Sequence, residues 1–143
     1  MGTMTSGTAI FWPVIAHVVL VVALYVLLGM RRSTAVKAGR TKVSQFRENL
    51  NEPQDSLFVR NSLANQFELP MLFYVACLSL HVTVGDGLLA VILAWVFTLS
   101  RYAHAFIHVT TNRIRHRQPA FLAGFAALIA LWIIFATHLL QIG

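Results

Sequence analysis

Charged side chains are scarce in this sequence: Asp, Glu, Lys and Arg together make up 11% of its 143 residues. A soluble domain carries roughly 25% charged residues, because its surface has to face water. With 57% hydrophobic residues and a mean hydropathy of +0.70, the composition instead predicts a protein surrounded mostly by lipid. We therefore expect residues 1–143 to form a single integral membrane domain.

Cysteine is nearly absent as well, and this limits the chemistry that the chain can support. A single Cys77 excludes an internal disulfide and a thiol cluster for zinc. Gly-rich phosphate loops and His-Glu-x-x-His patterns are missing too. His104 and His108 have the spacing of two metal ligands on one helix, but Glu68 is the only candidate for a third. We predict no metal site.

Long apolar runs are what the sequence does contain. They cover about residues 9–30, 57–84, 88–109 and 119–142, each close to the roughly 20 residues that cross the hydrocarbon of a bilayer. A tight Gly85-Asp86-Gly87 turn joins the second run to the third, and Pro119 is a typical first-turn residue for the fourth. The pattern predicts an all-α bundle of four transmembrane helices.

Basic residues are concentrated in two of the connecting loops. Only Arg60 and Arg101, of the eleven Lys and Arg residues, lie outside residues 31–56 and 110–118. This distribution follows the positive-inside rule, so both loops are predicted to be cytoplasmic and both termini to lie outside the cytoplasm. We expect a multi-pass protein of a bacterial inner membrane whose basic loops contact the lipid headgroups and which has no nucleic-acid partner.

Two short polar stripes interrupt the apolar spans: Asn61, Asn65 and Glu68 in the second, and Arg101, His104 and His108 in the third. At 100° per residue, each stripe falls within about 60° of helix arc. A charge at mid-membrane depth costs about 2.5–3.5 kcal/mol on insertion scales, so each stripe needs partners. Because the two spans are antiparallel neighbours, we predict that Glu68 and Arg101 form an ion pair. The pair either only locks two helices together or also contacts a polar ligand.

The remaining polar residues of the two stripes are predicted to line a cleft that opens to the cytoplasm. Pro70 lies inside the second span, where it frees a carbonyl and predicts a kink. Arg113, Arg115 and Arg117 stand at the mouth of the cleft. They are either a topology signal or a site that binds carboxylates and stabilises a bound thiolate. Isolated intramembrane histidines such as His17 are typical of hydrogen bonds between helices.

Two strings resemble the MAPEG superfamily, the membrane-associated proteins in eicosanoid and glutathione metabolism. These are Asn65-Gln66-Phe67-Glu68-Leu69-Pro70 in the second span and Arg101-Tyr102-Ala103-His104 in the third. The resemblance covers most of the chain. It implies a homotrimer of four-helix subunits that binds glutathione as co-substrate at subunit interfaces near the cytoplasm. It also implies conjugation, peroxide reduction or isomerisation of a lipophilic small molecule.

The same resemblance assigns roles to single residues. Arg117 would be the catalytic residue that stabilises the glutathione thiolate, while Asn65 and Glu68 hold polar groups of the tripeptide. Arg31 or Arg32 would supply a basic contact from the first span. The full set that we predict to bind substrate is Asn61, Asn65, Glu68, Arg101, His104, His108 and Arg113.

The chain also departs from the family pattern. Ala64 and Asn61 stand where characterised members commonly have arginines, and His108 stands where many have a tyrosine. Fewer cations would therefore face the carboxylates of glutathione. Two alternatives to a glutathione-dependent transferase or peroxidase remain open. One is a non-catalytic membrane scaffold, or a lipid-binding or protein-binding module, on the same fold. The other is a small transporter, although both stripes stop short of the outer face.

Overall fold

A computed structural model describes residues 7–47 and 51–143. The main helices are α1 (Phe11–Lys37), α2 (Gln54–Ala64), α3 (Leu69–Val82), α4 (Leu88–Val109) and α5 (Ile114–Ile142). Short 3-10 turns cover Val43–Phe46 and Asn65–Phe67. The second turn joins α2 to α3, so that four spans are long and apolar enough to cross a membrane. The predicted all-α bundle of four transmembrane helices is confirmed.

The first and last helices extend further toward the basic loops than hydropathy indicates. α1 continues through Arg31 and Arg32 to Lys37 and ends where Gly39 adopts a φ of +69°. The amide of Gly39 donates to the Val36 carbonyl, and the next amide to the Ala35 carbonyl, which is the usual glycine-terminated helix end. At the other end of the chain, α5 begins at Ile114, and the expected first-turn residue Pro119 lies inside it.

Apolar residues of α1, α3, α4 and α5 form the larger of two buried clusters. At its centre the rings of Phe73 and Phe97 stack with centroids 4.3 Å apart. The smaller cluster joins α1, α2 and α4 around Leu24, Val59 and Ala105. α4 packs most extensively against α5, and it does so over Gly124.

The outer surface of the bundle is apolar along α1, α3, α4 and α5. A soluble protein rarely exposes so much apolar surface, whereas a bilayer covers it. Large hydrophobic side chains that are more than half exposed include Val22, Val26, Leu78, Leu99, Leu122 and Ile133.

The long basic loop is fastened to the bundle by Glu52. Its side chain is only 1% exposed and accepts two hydrogen bonds from Arg32, at 2.7 and 3.1 Å, while Arg60 lies 3.4 Å away. The Arg32 guanidinium also lies over the Phe46 ring, 4.9 Å from its centroid. Burial alone would raise the pKa of the Glu52 carboxyl. The hydrogen bonds from Arg32 and Ser56 and the positive charges of Arg32 and Arg60 outweigh burial and lower that pKa.

Acid is expected to loosen this loop. A carboxyl whose pKa is lowered by folding stabilises the protein above its unfolded pKa, here 4.5, and loses that contribution as the pH falls further. Thermal unfolding in detergent should therefore show an acid-dependent loss of stability that Glu52→Gln flattens. Asp55→Asn is the matched control, because its ion pair with Arg40 is largely exposed. Parallel acid curves for wild type and Glu52→Gln would contradict this assignment.

Candidate functional site

The second span is broken in its middle by Pro70. Proline has no amide hydrogen and disfavours helical backbone in the residue before it, so the helix cannot run through unchanged. The chain makes a 3-10 turn over Asn65–Phe67, passes through Glu68 at φ −91° and ψ −99°, and restarts as α3. The kink expected from Pro70 is present. Because proline has no amide hydrogen, the carbonyl four residues earlier, that of Gln66, has no α-helical donor.

Arg101 of α4 contacts the broken segment of the second span. Its side chain is 1% exposed, and its Nη2 donates to the Asn65 carbonyl at 2.8 Å while its Nε donates to Gln66 Oε1 at 3.3 Å. The carbonyl end of a helix carries partial negative charge, which suits a guanidinium. Arg101 therefore stabilises the break from inside the bundle.

The prediction of an ion pair between Glu68 and Arg101 is wrong. Within the described ranges no carboxylate forms an ion pair with Arg101, and Glu68 interacts with it only through longer-range electrostatics. The helical-wheel prediction assumed a continuous helix, but the break at Pro70 leaves the Glu68 side chain on the exposed surface. Asn61, two turns before Glu68, is exposed as well.

A polar cavity of about 250 Å³ lies where α5 begins, between that helix, the broken span and α4. Three of the predicted site residues, one from each span, meet there. The residues that line it are Asn65, His104, Ile114, Arg117, Gln118 and Phe121.

His104 forms the α4 wall of this cavity. It is 4% exposed, and its ring lies 6.0 Å from the Phe121 ring between centroids. Its Nδ1 is buried and has no hydrogen-bond partner in the part of the chain that the structure describes. A polar atom left unpaired in this way is costly, which makes His104 a candidate for contact with a bound molecule.

Arg117 enters the cavity from the first turns of α5. Its Nη1 donates to Asn112 Oδ1 at 2.8 Å. Asn112 lies in the connection between α4 and α5 at a φ of +49°, a conformation that Asn tolerates better than most residues. The connection thus both reverses the chain and orients the guanidinium.

The other predicted site residues lie outside the cavity lining. His108 is buried one turn beyond His104, with the two ring centroids 5.7 Å apart. Arg113 is exposed and immediately precedes α5. Arg31 donates to the backbone carbonyls of Asp55 and Val109, and Arg32 is held by Glu52. The two α1 arginines are therefore engaged in internal contacts.

Sequence reasoning missed four residues around the cavity. Ile114, Gln118 and Phe121 line it, but the prediction that the fourth helix starts at Pro119 placed Ile114 and Gln118 in a loop. Gln66 touches Arg101 from the buried side of the break. Gln66 lies four residues before Pro70, so its carbonyl has no α-helical donor. That position was the available signal.

An apolar groove of about 380 Å³ lies between α3 and α5. The Phe121 ring of the cavity stacks on the Phe125 ring of the groove, with centroids 6.2 Å apart and planes 8° from parallel. The groove is lined by Leu69, Leu72, Phe125, Leu128, Ile129, Trp132, Ile133 and Ala136.

These features define a class: a multi-pass, four-helix membrane protein with a polar cavity at one end of the bundle and an apolar groove beside it. The sequence model of the MAPEG family matches residues 9–137, so this chain belongs to the MAPEG family. No curated protein and no solved structure matches the chain.

Proposed function

We propose that this MAPEG protein is a membrane enzyme that binds glutathione and uses its thiolate on a lipophilic electrophile or peroxide. The observation that carries the proposal is the meeting of Asn65, His104 and Arg117 at one cavity. An amide and an imidazole can bond the polar groups of a peptide. A guanidinium beside them can stabilise a thiolate.

The chemistry requires only the thiol and its second substrate. The thiol loses its proton, the sulfur forms a bond to an electrophilic carbon, and the bond to the leaving group breaks with its electron pair. With a peroxide, the sulfur instead attacks oxygen, the O–O bond breaks, and the alkoxide takes up a proton. A second glutathione then forms the disulfide and releases water. Arg117 would hold the thiolate in both reactions.

The apolar groove supports a lipophilic second substrate. It is lined almost wholly by hydrocarbon and aromatic side chains, and its Phe125 ring stacks on the Phe121 ring of the cavity. A molecule dissolved in the bilayer could enter it from the side, with its reactive end toward Arg117.

Self-association is part of the proposal. Asn61 and Glu68 are exposed within a membrane span, where contact with lipid tails is unfavourable. The cavity of about 250 Å³ also falls below the roughly 300–1,000 Å³ of typical ligand pockets. Neighbouring subunits of a homotrimer would cover these side chains and complete the site.

The other residues of the proposed site have supporting roles. Arg101 fixes the backbone at Asn65, and His108 packs against His104. Asn61, Glu68 and Arg113 would contact glutathione at its polar ends. The cavity lies at the bundle end that carries both basic segments, so it would face the cytoplasm of a bacterial inner membrane, with both termini on the other side.

Isothermal titration calorimetry of the detergent-purified chain with glutathione tests the proposal. We expect saturable binding, ultraviolet absorbance from a bound thiolate, and turnover of a lipophilic electrophile or peroxide. S-methylglutathione, which has no ionisable thiol, is the matched ligand control and should bind without the thiolate signal. If neither binding heat nor thiolate absorbance were detected, the proposal would be wrong.

A further inference from the structure

Gln66 is the centre of a buried hydrogen-bonded chain that is separate from the cavity lining. Its side chain is almost fully buried, and its Oε1 accepts hydrogen bonds from His17 Nε2 at 3.1 Å and from Arg101 Nε at 3.3 Å. Its Nε2 donates to the Ser62 carbonyl at 3.0 Å. One amide side chain thus joins α1, the broken span and α4.

His17 of α1 is fixed on both sides of its ring. Because Gln66 Oε1 can only accept, His17 Nε2 carries the hydrogen, and Nδ1 is left to accept from the Tyr74 hydroxyl at 2.5 Å. His17 is fully buried, so neither ring nitrogen has water as an alternative partner. The chain therefore runs from Tyr74 through His17 and Gln66 to Arg101, with a donor and an acceptor at each link.

The hydrogen-bonded series from Tyr74 to Arg101 ends at the backbone beside the cavity. Arg101 Nη2 donates to the Asn65 carbonyl at 2.8 Å, and the Asn65 side chain lines the cavity. The break at Pro70 interrupts the regular α-helical hydrogen bonding of this segment, which continues as a 3-10 turn. Contacts from other helices therefore help to hold it in place.

We propose that His17 is a positioning residue for the cavity, acting through Gln66 and Arg101 to hold Asn65 in place. His17 does not line the cavity and would not touch the ligand. The expected effect of His17 on glutathione binding rests on the proposed function. Its effect on the stability of the backbone in the broken segment does not. Losing His17 leaves Gln66 free to turn away from Arg101, and the Asn65 backbone then loosens.

Two readouts on the full-length chain in detergent test this role. The first is hydrogen exchange at the amides of residues 65–69, and the second is the glutathione Kd from calorimetry. His17→Leu should speed exchange and weaken binding, each by about tenfold, the equivalent of one buried hydrogen bond. His17→Gln restores a donor toward Gln66 and should recover most of both effects.

Thr98→Val is the matched control. Thr98 is fully buried on α4 and donates to the Pro13 carbonyl of α1 at 2.9 Å. Its loss removes a buried hydrogen bond between α1 and α4 that does not involve Gln66. Exchange at residues 65–69 and the glutathione Kd should both stay at wild-type values. If His17→Leu does not fold, Tyr74→Phe removes only the hydroxyl at the end of the chain and should shift both readouts in the same direction.

The outcomes separate this proposal from the proposed function. If wild type bound no glutathione while His17→Leu alone sped exchange, the function would fail and the positioning role would stand. If wild type bound glutathione and His17→Leu bound it equally well, the positioning role would be overturned. Equal exchange in His17→Leu and Thr98→Val would overturn it too, whether or not glutathione binds.

Discussion

Arg117→Ala is expected to lower glutathione-dependent turnover by roughly 10²–10³-fold, the usual effect of removing one donor that stabilises developing negative charge. Arg117 is the arginine that lines the cavity, and its guanidinium is oriented by Asn112. Without it, the bound thiol keeps its proton at neutral pH, so the thiolate absorbance should disappear. Steady-state turnover and ultraviolet difference spectra on the purified variant check both effects.

Arg115→Ala provides the matched control for this prediction. Arg115 lies two residues earlier on α5, is exposed, and does not line the cavity. Arg115→Ala removes the same formal charge as Arg117→Ala, so a general effect of loop charge would appear in both variants. Arg117→Lys should fall between wild type and Arg117→Ala, because an ammonium keeps the charge but loses the planar fork of donors. Equal turnover by Arg117→Ala and wild type would contradict the catalytic role of Arg117, whereas no turnover by wild type would favour a non-catalytic scaffold.

Hydropathy was sufficient to predict the fold, because a bilayer requires about 20 apolar residues for each crossing. It could not predict where the helices end. α1 continues past Arg31 because that side chain reaches the Asp55 and Val109 carbonyls, and contacts of this kind leave no local signal. The end at Gly39 follows a local rule, since glycine tolerates a positive φ.

The candidate site was only partly predictable for a related reason. Helical periodicity placed Asn65 and His104 near each other, and both line the cavity. The same periodicity predicted an ion pair between Glu68 and Arg101, and that prediction was wrong. One proline was enough to interrupt the helix between Asn65 and Glu68, and the Asn65 carbonyl took the place of the carboxylate as the partner of Arg101.

The sequence predicted that His17 forms a hydrogen bond between helices, but it did not identify Gln66 as the partner. The two residues are 49 positions apart, and nothing in the sequence specifies which face of α1 packs against the broken span. Polar residues on a buried face become informative only when the neighbouring helix is known. The parts of the site that remained hidden are thus those that depend on packing between helices.

Gly124→Ala is expected to disturb both the stability of the bundle and the cavity. A Cβ at Gly124 would lie 2.3 Å from Ser100 Oγ, where α4 and α5 cross. Ser100 cannot move away freely, because it is buried and donates to the Phe97 carbonyl at 2.6 Å. Overpacking of this kind costs about 1–3 kcal/mol. Thermal unfolding in detergent measures that loss.

The same crossing sets the width of the cavity. Ser100 lies one helical turn before His104 on α4, and Gly124 lies one turn after Phe121 on α5. A methyl group added between Ser100 and Gly124 would therefore push His104 and Phe121, the cavity walls, apart. A displacement of about 1 Å can cost up to about 10²-fold in rate, so glutathione turnover should fall together with stability.

Two variants distinguish the clash with Ser100 from a general effect of replacing a glycine in these helices. Adding Ser100→Ala to Gly124→Ala removes the clashing oxygen and leaves the Ser100 Cβ at 3.4 Å, so the double variant should regain most of the stability and the turnover. At Gly29, apart from its neighbours in α1, no atom of the described residues lies within 4 Å of an added Cβ, so Gly29→Ala should cost nothing. If the double variant remained as impaired as Gly124→Ala, the contact with Ser100 would not be what limits the approach of the two helices.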